Sequence, residues 1–421
     1  MPDIAKEKVQ PTEIESEIQR FLRAGEHGIG QLVDVILRQS VWNKVSDIHF
    51  EPFYGGLRVR FRIDGIFQDV IRFPKRLHDQ LIARIKVLAN LMPHKRDIPQ
   101  EGRISHSVDG QDVDFRVAVV PTVGGERSVI RIFDPMRALF SMEDLGFPED
   151  IRSRFTALLM DMDGIVILTG PAGSGKTTTM YAGLQKIYQE KGHHASLVTI
   201  EDPVEYELGM FSQIEVNRRV GMGFAETLSA LLRQDPDVIM VGEIRDFETC
   251  QIALRASLTG HLILTTIHSG HSCEVITRLL DMGMEPFVVS SSIKGVMAVR
   301  LIRKICGECR KEYQPESGHL EYFGRFRNLS AVKFTKGTGC AHCHHTGFSG
   351  RTSICELLVM SEPVRQLVLQ RAPTSRIVEA AREGGLGTIL DCGLDRVCDG
   401  TTTLEEVRRV LGTSMGKLDG N

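Results

Sequence analysis

The sequence lacks an excess of charge of one sign, a long apolar run and an apolar leader, and each lack excludes a class of function. Lys and Arg number 51 against 54 Asp and Glu, a net charge of −3. Proteins that coat nucleic acid are basic, so a histone-like role is excluded, while a local basic patch is not. No apolar run approaches the roughly 18 residues that cross a bilayer; the buried-looking runs, such as residues 165–168 and Val238–Val241, are short. The opening stretch MPDIAKEKVQPTEIESEIQR is charged and has no apolar core of a secretory signal. The expectation is a cytoplasmic chain that does any membrane work through partners. Of nine cysteines, Cys250, Cys273, Cys355, Cys392 and Cys398 are scattered singly, which does not read as a disulfide framework in a reducing compartment. Internal repeats and low-complexity tracts are also missing. At 42% hydrophobic and 25% charged residues the composition is that of an ordinary globular protein. Its 421 residues make roughly two to four domains.

Hydrophobic periodicity divides the chain. Residues 1–26 are polar and read as a tail or arm. Residues 27–135 read as an α+β domain. An apolar period near 3.6 predicts a helix over 29–37, and Leu57-Arg58-Val59-Arg60-Phe61-Arg62-Ile63 alternates apolar and basic residues as a half-buried strand does. Residues 77–92 read as a helix ended by Pro93, and residues 102–120 as an antiparallel pair turning at Asp109-Gly110. Residues 136–146 read as a linker. Beyond it, short apolar runs at 165–168, 196–200, 238–241 and 262–266 alternate with helical stretches, the pattern of an α/β core with a mostly parallel sheet. This second domain is placed at 147–421. Residues 303–350, rich in Cys, His and Gly, interrupt it, and residues 356–412 read as helical.

Gly170-Pro171-Ala172-Gly173-Ser174-Gly175-Lys176-Thr177 fits G-x-x-x-x-G-K-[ST], with a strand before it and a helix beginning near Thr178. Glycines let backbone N–H groups turn in around phosphate oxygens, and the helix N-terminus adds a favourable dipole. Lys176 would reach the β/γ-phosphates and Thr177 would hold Mg²⁺. The ordinary alternative, a glycine-rich turn, is disfavoured by the strand–loop–helix context.

Such a loop needs an acidic group at the end of a neighbouring strand to handle Mg²⁺ and the attacking water. Val238-Ile239-Met240-Val241-Gly242-Glu243 offers Glu243, at the strand end where open α/β sheets bind ligands. Glu201-Asp202-Pro203-Val204-Glu205 follows another strand, and Glu201 or Asp202 could polarise water or hold metal. Asp235 and Asp237 stand where they could simply begin a strand. His268 ends the strand Leu262-Ile263-Leu264-Thr265-Thr266-Ile267 and could sense the γ-phosphate, with His261 a second candidate. On chemistry alone a lone strand-end histidine is structural.

Cys306-Gly307-Glu308-Cys309 and Cys340-Ala341-His342-Cys343 are two C-x-x-C knuckles, a strong tetrathiolate zinc signal. Four thiolates close a tetrahedron, so the site should be structural rather than catalytic. A redox dithiol is the competing reading, and His342, His344 and His345 are spare neighbours.

From about Ser46 to Val410 the chain resembles the type II secretion and type IV pilus assembly ATPase family. The residues that carry the resemblance are Ser46-Asp47-Ile48-His49-Phe50-Glu51-Pro52, Arg62-Ile63-Asp64-Gly65, GPAGSGKTTTMYAGL from Gly170 and TIEDPVEY from Thr199. They continue with LLRQDPDVIMVGEIRD from Leu231, LTGHLILTTIHS from Leu258, both knuckles and Thr401-Thr402-Thr403-Leu404-Glu405-Glu406-Val407. The resemblance implies a RecA-like P-loop ATPase core with a smaller N-terminal α+β domain and a zinc-knuckle insertion. It implies a homohexameric motor, using ATP, Mg²⁺ and Zn²⁺, at the cytoplasmic side of the inner membrane. The motor would act on a polytopic platform protein, with no direct nucleic-acid partner. It places catalytic roles on Glu243, Glu201 and His268, and on Arg103 and Arg116 of the first domain, which would reach the γ-phosphate. Family members often carry a further N-terminal domain, so with only residues 1–26 ahead of the first domain recruitment would differ or use that tail. The family often has Ser two residues beyond Arg116, where this chain has Ala118. Retraction members lack the knuckles, which points to assembly or secretion. A conjugation or DNA-uptake ATPase and a non-hydrolysing zinc-dependent scaffold are the alternatives.

Overall fold

A computed structural model describes residues 28–133 and 140–412. The expected tail, residues 1–26, lies outside the described residues, and the expected linker is described only from residue 140. The chain separates into two compact units, one of residues 1–137 with 339–346, the other of residues 138–338 with 347–421.

The first unit is built on a six-stranded antiparallel sheet in the order β3-β2-β1-β6-β5-β4. Its strands are β1 (Asp47–Phe53), β2 (Gly56–Ile63), β3 (Ile66–Pro74), β4 (Gln100–Val108), β5 (Gln111–Thr122) and β6 (Gly125–Phe133). The helices Ile29–Trp42 and Lys75–Leu88 bury Leu32, Ile36, Leu81 and Ile85 in one cluster with Phe50, Val59, Phe61, Phe115 and Val117 of the strands. Alternation in β2 and β5 therefore does what period-2 patterning requires: one face is core, the other carries the arginines. The turn at Asp109-Gly110 has φ of 54° and 80°, the left-handed pair that a two-residue hairpin needs.

Strand β1 escapes the sequence reading because its polar residues are buried as well as its apolar ones. Asp47, His49 and Glu51 are all enclosed, since arginines on the neighbouring strands cover them. Glu51 accepts hydrogen bonds from Arg60 (2.7 Å), Arg127 (2.9 Å) and Arg58 (3.0 Å). Burial alone would push its carboxyl up, but the Arg60 and Arg58 guanidiniums outweigh burial and hold it below the ordinary value.

The second unit holds a seven-stranded sheet in the order β15-β12-β7-β11-β10-β8-β9. Its strands are β7 (Gly164–Thr169), β8 (Leu197–Glu201), β9 (Ser212–Glu215), β10 (Val238–Val241), β11 (Leu262–Ile267), β12 (Ile293–Ile305) and β15 (Phe348–Val359). The small pair β13 (Arg310–Glu312) and β14 (Thr335–Gly337) lies in the segment between β12 and β15. All pairings in the seven-stranded sheet are parallel except β12 with β15. Helices cover both faces, so β7, β10 and β11 are buried along their whole length and read as unbroken apolar runs. The α/β core with a RecA-like phosphate loop, the smaller α+β unit and the cysteine insertion are all present.

One expectation needs correction here. The sheet continues past β11 through β12 and β15, and the helices expected from 356 begin with Glu362–Leu369. Residues 356–359 instead pair with β12, Glu356 opposite Ala298 and Val359 opposite Gly295. An apolar hexamer buried in a sheet and one buried in a helix have no distinguishing period.

The C-terminal helix Leu404–Leu411 is tied to β12 by Glu406, which is 1% exposed. Its carboxylate accepts from Arg303 N (3.0 Å), Arg303 Nη2 (2.7 Å) and Arg409 Nη2 (2.6 Å). Burial opposes ionisation, but the Arg409 and Arg303 hydrogen bonds prevail and the carboxyl is held low. A depressed folded value means that its stabilisation is present above the unfolded value of about 4.3 and is lost as pH falls through the folded one. Glu406→Ala should cost about 3–5 kcal/mol at neutral pH, because it removes a fully buried carboxylate and strands the largely buried Arg303 guanidinium. Thermal unfolding should show that gap to wild type closing as pH drops below about 4; a gap that does not depend on pH contradicts the ion-pair account.

Candidate active site

Strand β7 ends at Thr169 and delivers the chain into the glycine-rich loop. Gly170, Gly173 and Gly175 have φ of 150°, 73° and 97°, values that side chains disfavour. At Gly170 space forbids one as well: a Cβ would lie 2.5 Å from Ser174 Oγ and 2.6 Å from the Val299 carbonyl. Ser174 Oγ is buried and has no hydrogen-bond partner among the described residues. An orphaned buried hydroxyl inside a loop of this conformation is what an anion-binding nest leaves open for a ligand oxygen.

The helix Lys176–Lys191 starts at the lysine, two residues ahead of the expected Thr178. Lys176 Nζ donates to the Gly170 carbonyl (2.8 Å) and the Pro171 carbonyl (2.9 Å). Burial pushes this ammonium down from its ordinary value, Arg300 adds to the shift, and Glu243 and Glu205 oppose it.

The parallel pairing of β7 with β11 sets Thr169 opposite Ile267, so the chain beyond β11 lies beside the phosphate loop. His268 occupies that place. Its Nε2 is 3.7 Å from Glu243 Oε2, and Arg245 Nε is 2.6 Å from the same oxygen. Gly242 takes the usual strand-end aspartate position; its N–H donates to the Ile200 carbonyl and Thr266 Oγ1 donates to its own carbonyl.

Glu201 is placed differently. At 3% exposure its carboxylate accepts from the Tyr181 hydroxyl, from Thr199 Oγ1 (2.6 Å) and from Gln213 Nε2 (3.1 Å). Burial, and then the Glu201 charge, push the Tyr181 phenol well above its ordinary value, so the phenol keeps its proton and donates a hydrogen bond to Glu201. Three internal donors thus enclose the Glu201 carboxylate, in contrast to Glu243. Of its neighbours, Asp202 pairs with Arg218 (3.0 Å), and Glu205 is the exposed carboxylate whose field reaches Lys176. Asp235, Asp237 and His261 precede β10 and β11 and so lie at the end of the parallel sheet away from the loop. Asp237 there accepts from Ser196 N (2.7 Å), and His261 Nδ1 meets the Ala256 carbonyl (3.0 Å).

On the first unit Arg103 faces Arg116 across the β4–β5 ladder, and Arg116 faces Arg131 across β5–β6. Like charges directly opposite are unfavourable. Asp114 pairs with Arg103, and Asp47 pairs with Arg131 (3.0 Å). Among the described residues no ion pair involves Arg116, and its side chain is exposed. Among the described residues this strand face therefore keeps Arg116 as a cation with no ion pair between two that have one.

The ligand atoms of Cys306, Cys309, Cys340 and Cys343 all lie within 4.8 Å of one another, and none is in a disulfide. Each knuckle turns on a short 3₁₀ helix, Gly307–Cys309 and Ala341–Cys343. Cys340 Sγ to Cys343 Sγ is 3.8 Å, the edge of a tetrahedron with Zn–S bonds of about 2.3 Å. The donor set therefore fits zinc with all four positions filled by sulfur.

The profile of the family described as type II/IV secretion system protein matches residues 23–409. The chain belongs to this family. It is 41% identical over 384 residues to the Type II secretion system ATPase E of Vibrio cholerae, covering 91% of this chain and 75% of that protein. It is 38% identical over 408 residues to the Type IV pilus assembly ATPase PilB of Thermus thermophilus, covering 97% of this chain and 45% of PilB. Among solved structures, the pilus retraction motor PilT with bound ADP superposes with a TM-score of 0.61 at 25% identity. That match covers 92% of this chain and 98% of PilT.

The sequence reading assigns no role to three residues of this secretion-family site. Arg245 stands two residues past Glu243, so proximity to the strand-end acid was the available signal. Arg300 is a single charge within the apolar run Gly295-Val296-Met297-Ala298-Val299-Arg300-Leu301-Ile302, a buried cation flagged by its surroundings. Tyr181 has no local signal, because its partner Glu201 is on another element.

Proposed function

We propose that this chain hydrolyses Mg-ATP within a ring of copies, and that the ring drives a type II secretion or type IV pilus assembly machine from the cytoplasmic face of the inner membrane. The observation that carries the reading is the Glu243–His268 pair beside the phosphate loop in a member of the secretion family. Lys176 and residues Gly170 to Thr178 bind the phosphates, and Mg²⁺ held through Thr177 would offset their charge. Glu243 orients and deprotonates the attacking water. His268 hydrogen-bonds the γ-phosphate and registers its loss. Glu201 braces the floor of the site through Tyr181 and Thr199. Arg103 and Arg116 come from a neighbouring copy, which makes hydrolysis conditional on ring closure. Zinc on the four cysteines shapes the insertion and leaves no open position for chemistry. Among the described residues no helix is long and apolar enough to cross a membrane, which fits recruitment by an inner-membrane platform protein.

The test is Mg²⁺-dependent ATPase activity per protomer against protein concentration. A steep rise to a plateau supports sites completed between copies; a flat rate over the range in which the ring dissociates contradicts them. Arg103→Ala should cut turnover by about 10³-fold while sparing ADP binding, as loss of a transition-state arginine does. Loss of affinity with turnover intact would remove it from that role. No hydrolysis at any concentration moves the reading to a non-hydrolysing scaffold.

A further inference from the structure

Arg300 is 7% exposed, in the middle of β12. Its guanidinium donates from Nη1 to the Val299 carbonyl (2.9 Å) and from Nη2 to the Gly270 carbonyl (2.7 Å). Among the described residues it makes no ion pair; Glu356 and Glu274 favour its charge from a distance, while burial disfavours it. It also stands behind the phosphate loop, with Nη1 2.9 Å from where a Cβ on Gly170 would lie. A buried cation with carbonyls for partners and the Lys176 ammonium nearby is expensive for a core that an apolar side chain would fill. That cost calls for a purpose.

The purpose is legible in the segment that Arg300 grips. Gly270 lies two residues beyond His268, and the rest of the segment is already fastened. Ser269 exchanges hydrogen bonds with Thr169, its N–H donating to Oγ1 (2.9 Å) and its carbonyl accepting from Oγ1 (3.0 Å). Glu274 Oε2 accepts from Ser269 Oγ (3.0 Å), Gly270 N (3.0 Å) and His271 N (3.3 Å). Glu356 Oε1 accepts from Ser272 N (2.7 Å) and Ser272 Oγ (2.8 Å). These contacts tie the segment to β7, to its own helix and to β15. Arg300 ties it to β12, directly under Gly170.

We infer that Arg300 is a positioning residue for hydrolysis: it clamps the segment carrying His268 to the base of the phosphate loop. The imidazole is thereby held at a fixed offset from Glu243 and from the site of the γ-phosphate. The inference rests on the hydrolytic reading of Lys176, Glu243 and His268 given above. Arg300 touches no substrate; it acts through the Gly270 carbonyl.

The experiment uses the full chain with Arg300→Met, Arg300→Lys, His268→Ala and the Arg300→Met/His268→Ala double variant. The readouts are kcat and KM for Mg-ATP, affinity for a fluorescent ADP analogue, and amide hydrogen exchange across residues 268–272. A sub-ångström release of His268 should lower kcat by about 10–10²-fold in Arg300→Met. ADP affinity should stay unchanged and exchange at 269–271 should quicken. Arg300→Lys, which keeps one donor and the charge, should recover part of kcat. In the His268→Ala background Arg300→Met should add nothing to the loss. Multiplicative losses in the double variant, or lost ADP affinity with kcat intact, overturn the inference. So does unchanged exchange at 269–271. Absence of hydrolysis in the unmutated chain overturns the functional reading instead, and the exchange measurement then still decides whether Arg300 clamps the segment.

Discussion

Lys176→Ala should lower ATP turnover by about 10²–10³-fold or more, the scale set by removing a preorganised donor from developing phosphate charge. The ammonium is held over the loop by the carbonyls of Gly170 and Pro171, and both are poor substitutes for phosphate oxygens. Binding of a nucleotide exchanges two neutral acceptors for anionic phosphate oxygens, and the ammonium then gains a direct attraction between opposite charges. Burial lowers the proton affinity of Lys176, so a nearby anion gains more from it than from a solvated lysine. Lys176→Arg should not rescue, because a planar guanidinium cannot occupy the pocket of a compact ammonium. Phosphate release under saturating Mg-ATP is the measurement. Turnover at the wild-type rate in Lys176→Ala would remove the loop from the catalytic site.

The second large effect is expected at the cysteine cluster. Cys340→Ser should release zinc and loosen residues 306–347. Structural zinc sites carry apparent binding free energies of about 10–16 kcal/mol, so a tetrathiolate that loses one sulfur gives up a large part of the local stability. Metal analysis of the purified chain should show the loss. Limited proteolysis should cut between β12 and β15, where the small β13–β14 pair and the helix Ser317–Gly324 are the remaining regular structure. Cys398→Ser is the control: that thiol is exposed and outside the cluster, and zinc should be unaffected. Unchanged zinc in Cys340→Ser would exclude the tetrathiolate.

Glu201 and Glu243 show how far local reading carries. Both follow apolar strands, and in sequence they are equivalent candidates for the same task. In the folded chain Glu243 faces Arg245 and His268 at a partly open strand end, whereas Glu201 is enclosed by Tyr181, Thr199 and Gln213. Tyr181 and Gln213 come from a helix and a strand that no spacing rule connects to Glu201. Arg103 and Arg116 show the same limit. Each reads as an arginine on an alternating strand, and only the register of β4, β5 and β6 sets them in one row with Arg131.

What the sequence by itself determines is whatever depends on neighbours along the chain. The phosphate loop needs glycines where φ is positive and a lysine at the head of a helix, and the knuckles need two sulfurs on one turn. The buried parallel strands need unbroken apolar runs. Each of these is a conformation of a few consecutive residues, so it is written in consecutive letters. The tertiary structure decides which of those pieces touch. It lays β7 between β11 and β12, and so brings His268 and Arg300 to opposite sides of one loop. It also chooses which carboxylate keeps access to water. Burial and strand pairing depend on residues far apart in the chain, and periodicity carries no information about such partners.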